Sequence, residues 1–518
     1  MRLLLPLLIL GALGSLQAQE PDLGTEAPDL GTEAQRDAGK VIYEQKCAQC
    51  HGAEGEGDGD GGAYFRPAPR DLTSGTFKVR TTESGELPTD EDLKRVIRLG
   101  MPATGMPAWP DFGDRELTEL VYYIKTFSED FADPDMIVPP MEIPQAPAFT
   151  EASAQKGRKL FEENKCIDCH GLYGRMDGPS APTLKDDWDR HIRPADLTKR
   201  WTYRGGPSRE DIYRTFTTGL NGTPMPSYAD LLEEEDRWNL VDYVFSLSAD
   251  EPDYATVVIA RLMTGEIDIE QASSLFDSIP GALFPMAGQV IEPGREFFRS
   301  IDAVDVKAVY SANHIAIRLA WNDMSADRSG HNSPAIPVPV FDPDAEASTE
   351  DFSDAVALQF PAKTGSVLPY FLFGDRRNAV DIWFADLAGD EAERFTGRGS
   401  DNITPEPLGT PLVDASYEDG EWSVIFVQER QAEGGSPFEA GSFVPVAFSL
   451  WDGFNKERGN KRGLSSWYYL YLEPAEEEWS ILPTLQWGLA TLLVQFAIVY
   501  GVRRKYANHA GQGPHDRQ

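Results

Sequence analysis

Apolar residues recur along the chain in three textures. Through the first half they follow helical spacing: Leu117, Leu120, Val121 and Ile124, and again Leu240, Tyr243, Val244 and Leu247, fall at i, i+3, i+4 and i+7, the stripe of an amphipathic helix. Asp90 stands where an N-cap would open the helix before the first of these. From about Glu251 the period changes to two. His314–Trp321 alternates Ile315, Ile317, Leu319 and Trp321 with other residues, and Val356–Phe360, Trp422–Val427 and Trp467–Leu472 are further β-like runs broken by Gly, Pro, Asn and Asp turns. This predicts an all-β sandwich over residues 251–478. The last texture is an apolar run from Ile481 to Tyr500, long enough for a bilayer, which predicts a transmembrane helix over 480–502. Trp479 and Trp487 suit the interface. Arg503-Arg504-Lys505 follow the run, so a tail over 503–518 is expected in the cytoplasm and everything before Trp479 outside it.

The N-terminus reads as a signal peptide over 1–19, with Arg2, a short apolar core and Ala18 near the cut. A heptapeptide then occurs twice, at 21–27 and 28–34, without apolar periodicity, and predicts a flexible linker over 20–36. A Pro-rich linker over 131–152 separates two similar units, 37–130 and 153–250. Gly39-Lys40-Val41-Ile42-Tyr43-Glu44 matches Gly157-Arg158-Lys159-Leu160-Phe161-Glu162, Asp71-Leu72-Thr73 matches Asp196-Leu197-Thr198, and Met106-Pro107 matches Met225-Pro226. From His51 to Met106 and from His170 to Met225 the interval is 55 residues each time. Tyr43, Phe161, Tyr123 and Tyr243 are expected to pack between the first and last helix of each unit.

The chain holds 84 acidic against 47 basic side chains, a formal charge of −37. That sign argues against nucleic acid as a partner, because phosphate is neutralised by Lys and Arg; it suits a basic redox partner, or simple solubility. Cysteine usage narrows the chemistry further. All four cysteines sit in two identical frames, Cys47-Ala48-Gln49-Cys50-His51 and Cys166-Ile167-Asp168-Cys169-His170. Thiols at this spacing form thioethers to the two vinyl groups of one haem, and the adjacent histidine falls beneath the iron. Two haem c groups are therefore expected, with Cys47, Cys50, Cys166 and Cys169 as attachment points and His51 and His170 as proximal ligands. Met106 and Met225 are the candidate distal ligands. Met101 competes in the first unit, but its counterpart in the second is Leu220, whereas Met106 is matched by Met225.

Residues 37–130 and 153–250 thus each resemble a class I cytochrome c domain, which implies a small all-α fold around one haem with His and Met ligands, carrying single electrons. The expected architecture is multidomain: two all-α cytochrome c domains, an all-β sandwich and one C-terminal transmembrane helix. The third region resembles the haem-b subunit of ethylbenzene dehydrogenase and its relatives, on Asp354–Pro361, Pro369–Asp375, Val444–Gly453 and Glu457–Lys461. That resemblance implies periplasmic partners bearing molybdopterin and iron–sulfur centres, and a haem b held by a methionine and a lysine. Lys461 matches the lysine, but Phe373 stands at the methionine position, so the haem is absent, five-coordinate, or held by another residue such as Met324. His191, His314 and His331 read as structural or surface residues. The function expected is a membrane-anchored dihaem relay on the periplasmic, extracytoplasmic face, joining such an oxidoreductase to the respiratory chain. A dihaem peroxidase or sulfur-compound dehydrogenase, and cytochromes fused to a sugar- or surface-binding β module, are the alternatives.

Overall fold

The computed structural model describes residues 28–474 and 482–510, apart from 293, 296–299, 340–348, 364, 366, 390 and 432–437. The expected signal peptide and the first copy of the heptapeptide lie outside the described residues, as do Trp479 and Ile481.

Each of the two N-terminal units is a minimal helical frame. In the first, α1 (Glu33–Lys46), α2 (Ala48–His51), α3 (Asp90–Leu99) and α4 (Asp114–Ile124) are joined by long loops; in the second, α5 (Glu151–Glu163), α6 (Ile167–His170), α7 (Arg209–Thr218) and α8 (Glu234–Ser246) repeat the order. The apolar stripes largely do what their spacing predicts: Leu117, Leu120 and Val121 on α4, and Leu240, Tyr243 and Val244 on α8, are buried, while Leu247, at the C-cap of α8, is half-buried. Tyr43 meets Tyr123, and Phe161 meets Tyr243, each with ring centroids 5.3 Å apart between the first and last helices.

Two boundaries shift from expectation. Residues 33–36 are the first turn of α1 rather than linker: Thr32 and Gln35 form a capping box, and Asp29 accepts the Tyr122 hydroxyl at 2.7 Å, fastening the second heptapeptide copy to α4. The N-cap of α3 is Thr89, not Asp90. The Thr89 hydroxyl accepts from the Asp92 amide at 3.1 Å while the Asp92 carboxylate accepts from the Thr89 amide at 3.0 Å. Asp90 sits one residue later, paired with Lys125 at 2.7 Å. The Pro-rich segment is also fastened down: the Met141 amide donates to the Thr81 carbonyl, and Arg209 donates to the Pro147 carbonyl.

The third region is mostly sheet. Its strands run in the order Leu412–Glu418, Glu421–Glu429, His314–Asn322, Ala303–Tyr310, Val257–Leu262, Tyr468–Leu472, Phe443–Trp451, Ala355–Pro361, Val380–Asp386, Ala392–Gly397, Ile403–Pro405. Pairing is antiparallel except at Val257–Leu262, which is parallel to both neighbours. Trp383 and Phe426 lie on strands seven places apart in that path, yet their rings are 6.5 Å apart. The path therefore turns back on itself into two facing layers, the sandwich that the alternation predicts. Ile315, Ile317, Leu319 and Trp321 all point into the shared core.

At one end of the sandwich three carboxylates, Asp323, Asp354 and Asp452, are buried with ligand atoms within 4.8 Å of one another. Burial and then the neighbouring acids push Asp323 and Asp354 well above the usual carboxylate range, Asp354 and Asp452 being the main influences on Asp323. A raised folded-state pKa means the folded chain holds the proton longer than the unfolded one. The penalty is absent below about pH 4 and grows as pH rises towards the folded value. Asp323→Asn is expected to flatten this slope and to leave the protein at least as stable as wild type near neutrality, read from denaturant midpoints between acid and neutral pH; a variant with the wild-type slope contradicts this assignment.

The second compact unit comprises residues 473–518. Its helix Leu482–Ala510 contains a stretch, Leu485–Ala507, long and apolar enough to cross a membrane. The helix continues past Arg503-Arg504-Lys505, so the expected tail is helical for its first turns.

Candidate functional site

In each helical unit the long loops enclose a largely apolar cleft. Cys47, Cys50, His51, Met106 and Pro107 line the first, and Cys166, Cys169, His170, Met225 and Pro226 line the second. The repeated sequence elements explain how these residues come to face one another. The short helices α2 and α6 follow directly on α1 and α5 and place each histidine one turn beyond the first cysteine; the amides of His51 and His170 donate to the carbonyls of Cys47 and Cys166 at 2.9 Å.

The Asp-Leu-Thr motif holds the histidine ring. In the first unit Nδ1 of His51 lies 3.0 Å from the Arg70 carbonyl, the residue just before Asp71-Leu72-Thr73. In the second, Nδ1 of His170 lies 3.0 Å from the Ala195 carbonyl, just before Asp196-Leu197-Thr198. The aspartate Oδ1 accepts from the threonine amide and hydroxyl, at 2.9 and 2.6 Å for Asp71 and 3.0 and 2.6 Å for Asp196. The Leu72 and Leu197 amides donate to the Gly55 and Gly174 carbonyls at 2.7 and 2.6 Å. With Nδ1 donating to a fixed carbonyl, the lone pair is left on Nε2, and the ring has one orientation in which to offer it. Burial lowers the pKa of both histidines, which keeps the imidazole neutral, the form a metal binds.

The methionine loops are equally alike. The Met101 amide donates to the Met106 carbonyl and the Leu220 amide to the Met225 carbonyl, both at 3.1 Å, so Met101 and Leu220 are structural equivalents, as the repeat requires. The Thr104 and Thr223 hydroxyls accept from the Met106 and Met225 amides at 3.1 and 3.3 Å. These threonines were legible as a shared Thr-x-Met-Pro pattern but are absent from the sequence reading. Burial pushes Cys47 and Cys166 up to about 11, which favours neutral thiols over thiolates. Paired thiols, a neutral imidazole and a thioether around an apolar cleft are a donor set that fits one haem c per unit.

The haem-b expectation fares differently. Phe373 is fully buried with φ +62, and the guanidinium of Arg462 lies 3.9 Å from its ring centroid, with Trp451 stacked at 6.5 Å. Arg462 is itself buried, donating to Ser449, Gly459 and Asn460. Lys461 Nζ donates to the Asn455 carbonyl at 2.5 Å. A phenyl ring packed against a buried cation, beside an amine already committed to a carbonyl, does not fit a haem. His314 faces Glu266 at 3.3 Å, His331 faces Asp386 at 2.9 Å and His191 packs edge-on to Phe454, in keeping with structural roles.

Comparison with known proteins agrees with the two helical clefts. Residues 34–124 match the family model of the cytochrome c oxidase, cbb3-type, subunit III, and residues 154–248 match that of cytochrome c. The chain carries two cytochrome c domains. Over 240 residues it is 27% identical to a protein of Haloferax mediterranei named as a respiratory nitrate reductase heme subunit, covering 45% of this chain and 80% of that one. It is 28% identical over 168 residues to the chlorate reductase subunit gamma of Ideonella dechloratans, covering 32% of this chain and 62% of the relative. The dimethylsulfide dehydrogenase subunit gamma of Rhodovulum sulfidophilum is 28% identical over 145 residues, covering 26% and 54%. The chain thus spans less than two thirds of the two gamma subunits.

The cytochrome c domains and the sandwich form one compact unit. Arg80 donates to the Thr218 carbonyl at 2.7 Å and Arg95 pairs with Asp211 at 2.6 Å across the cytochrome c domains. Arg193 pairs with Asp452, and Lys199 with Asp302 at 2.8 Å, tying the second domain to the sandwich. The second cleft is consequently walled by all three parts: Phe65 and Lys78 from the first domain, and Ala287, Gly288 and Ser300 from the sandwich, line it too.

Proposed function

We propose that this chain is the membrane-anchored electron-transfer subunit of an extracytoplasmic oxidoreductase complex, passing single electrons between a catalytic subunit and the respiratory chain. The observation that carries the reading is the pair of equivalent clefts, each with two thiols, a carbonyl-oriented neutral histidine and a methionine, abutting within one compact unit. Cys47 and Cys50, and Cys166 and Cys169, would hold each haem through thioether bonds; His51 with Met106, and His170 with Met225, would hold the iron. Haem supplies a one-electron redox couple at these sites. What the chain does is fix that couple: the Asp-Leu-Thr loops hold the imidazoles, the Thr-x-Met-Pro loops hold the thioethers, and the apolar walls exclude water. Little then needs to move when an electron arrives.

The relatives named for nitrate reductase, chlorate reductase and dimethylsulfide dehydrogenase support an oxidoreductase as the catalytic partner; the resemblance of the third region to haem-b subunits is what suggests molybdopterin and iron–sulfur centres in it, with the sandwich as the docking part. The apolar helix followed by Arg503-Arg504-Lys505 supports a single span with the C-terminus in the cytoplasm and the haems outside.

A relay would have both irons held by His51 with Met106 and His170 with Met225, leaving no place for a substrate, whereas a peroxidase needs one iron open. Met106→Ala and Met225→Ala are each expected to turn one haem of two high-spin and to lower its reduction potential, since the methionine sulfur raises it. Absorption spectra and redox titration of the purified variants read both effects. A variant whose spectrum stays low-spin and whose potentials do not move removes that methionine from the site; a wild type with one high-spin haem would favour the peroxidase.

A further inference from the structure

The two clefts share part of their lining: Phe65, Lys78, Thr104, Gly105 and Arg204 border both. Two of these five are cations, Lys78 from the first domain and Arg204 from the second, and Arg70 borders the first cleft beside them. Lys78 is only 8% exposed. Neither Lys78 nor Arg204 makes a hydrogen bond or ion pair with any described residue, whereas the other buried cations at this end of the second cleft are matched: Arg193 by Asp452, and Lys199 by Asp196 and Asp302. Burial lowers the pKa of Lys78 well below its ordinary value and that of Arg204 to about 10, and each feels the like charge of Arg70. Asp186 lines the first cleft and attracts Lys78 and Arg70, but it bonds neither Lys78 nor the half-buried Arg204, and holding these cations together away from water is costly unless a further anion joins them.

Haem brings such an anion. It is a dicarboxylic acid, and its propionates are ionised groups that need partners when held in a low-dielectric cleft. We propose that Lys78 and Arg204 are shared counter-ions for the propionates of both haems, so that each haem is neutralised in part by the neighbouring domain and the two redox centres are electrostatically linked through the seam. Arg70, anchored over the Trp188 ring of the second domain at 4.4 Å, completes the cationic side of the first cleft. The inference rests on the two-haem reading of the preceding section and extends it: the seam makes the pair a coupled unit rather than two cytochromes on a string.

The test uses the full-length holoprotein and the variants Lys78→Gln, Lys78→Arg, Arg204→Gln and Arg204→Lys. Haem c is counted first on the wild type; fewer than two per chain would sink the two-haem reading, whatever the seam does. With both haems present, a positive charge near each iron favours the reduced, less positive state. Lys78→Gln and Arg204→Gln are each expected to lower both midpoint potentials in a spectroelectrochemical titration and to shift the propionate bending bands in resonance Raman spectra. Lys78→Arg should keep the potentials near wild type. A change confined to one haem, or potentials and Raman bands unchanged with two haems bound, overturns the proposal. Should a glutamine variant not load both haems, Arg204→Lys decides: it keeps the charge but loses the planar fork of donors, so a shift of propionate bands on both haems supports sharing and an unchanged spectrum refutes it.

Discussion

Gly157→Ala is expected to destabilise the second cytochrome c domain by about 3 kcal/mol, at the upper end of what an overpacked core usually loses. Gly157 lies where α5 crosses α8. A Cβ at this position would sit 1.9 Å from the Asn239 carbonyl oxygen, 2.6 Å from its carbon and 2.8 Å from the Tyr243 Cβ. The obstacle is backbone, which no side-chain rotation relieves, so the helices must part. Parting them lifts Phe161 and Tyr243 off each other and opens the wall behind α6 and its histidine. Alanine gains about 1 kcal/mol in helix propensity over glycine, too little to offset this. The first domain repeats the arrangement: a Cβ on Gly39 would lie 2.0 Å from the Glu119 carbonyl oxygen. Gly39→Ala should therefore act on the first domain as Gly157→Ala acts on the second. Thermal melts followed at the haem absorption band would show one haem environment lost early in each variant and the other retained. Melting at or above the wild-type temperature in either variant would mean the helix crossing tolerates a side chain, contrary to the packing described here.

The second large effect concerns the thiols. Cys166→Ala combined with Cys169→Ala is expected to reduce covalently bound haem from two per chain to one, leaving the first domain loaded because its thiols, His51 and Met106 belong to a separate cleft. The corresponding change at Cys47 and Cys50 should spare the second haem instead. Haem staining after denaturing electrophoresis, and absorption normalised to protein, read the stoichiometry. A double variant at either frame that still carries two covalent haems would show that attachment does not run through these cysteines.

Much of this architecture is legible in the sequence because the two helical units are copies. Repetition turns ambiguous residues into matched pairs: Met106 is distinguished from Met101 only by its partner Met225, and the shared loop hydrogen bonds make Met106 and Met225 structural equivalents. The role of Asp-Leu-Thr was not legible. The motif is visible in both units, but its function is to fix the carbonyl of the residue before it, and a carbonyl leaves no mark on a sequence. Gly39 and Gly157 were visible as matched letters and silent about the helix crossing that requires them. The second heptapeptide copy read as tether because its composition is polar, yet Thr32 and Gln35 cap α1 and Asp29 bonds Tyr122. The cap is local, but the Asp29 contact depends on a residue 93 positions away. Lys461 illustrates the opposite limit: a matching letter in a matching run, with its amine turned to Asn455 and the neighbouring space filled by Phe373 and Arg462. The seam between the clefts is legible least of all: Thr76-Phe77-Lys78 and Thr202-Tyr203-Arg204 are similar runs in the two units, but nothing in either run says that the two cations border both clefts.

The most direct test of the two-haem account is a pyridine haemochrome determination on the purified full-length protein, before and after extraction with acidified acetone. The account predicts two haem c per chain that stay with the polypeptide through extraction, and no haem b in the extract. Protein that emerges colourless after export, or that surrenders its haem to the solvent, would contradict it.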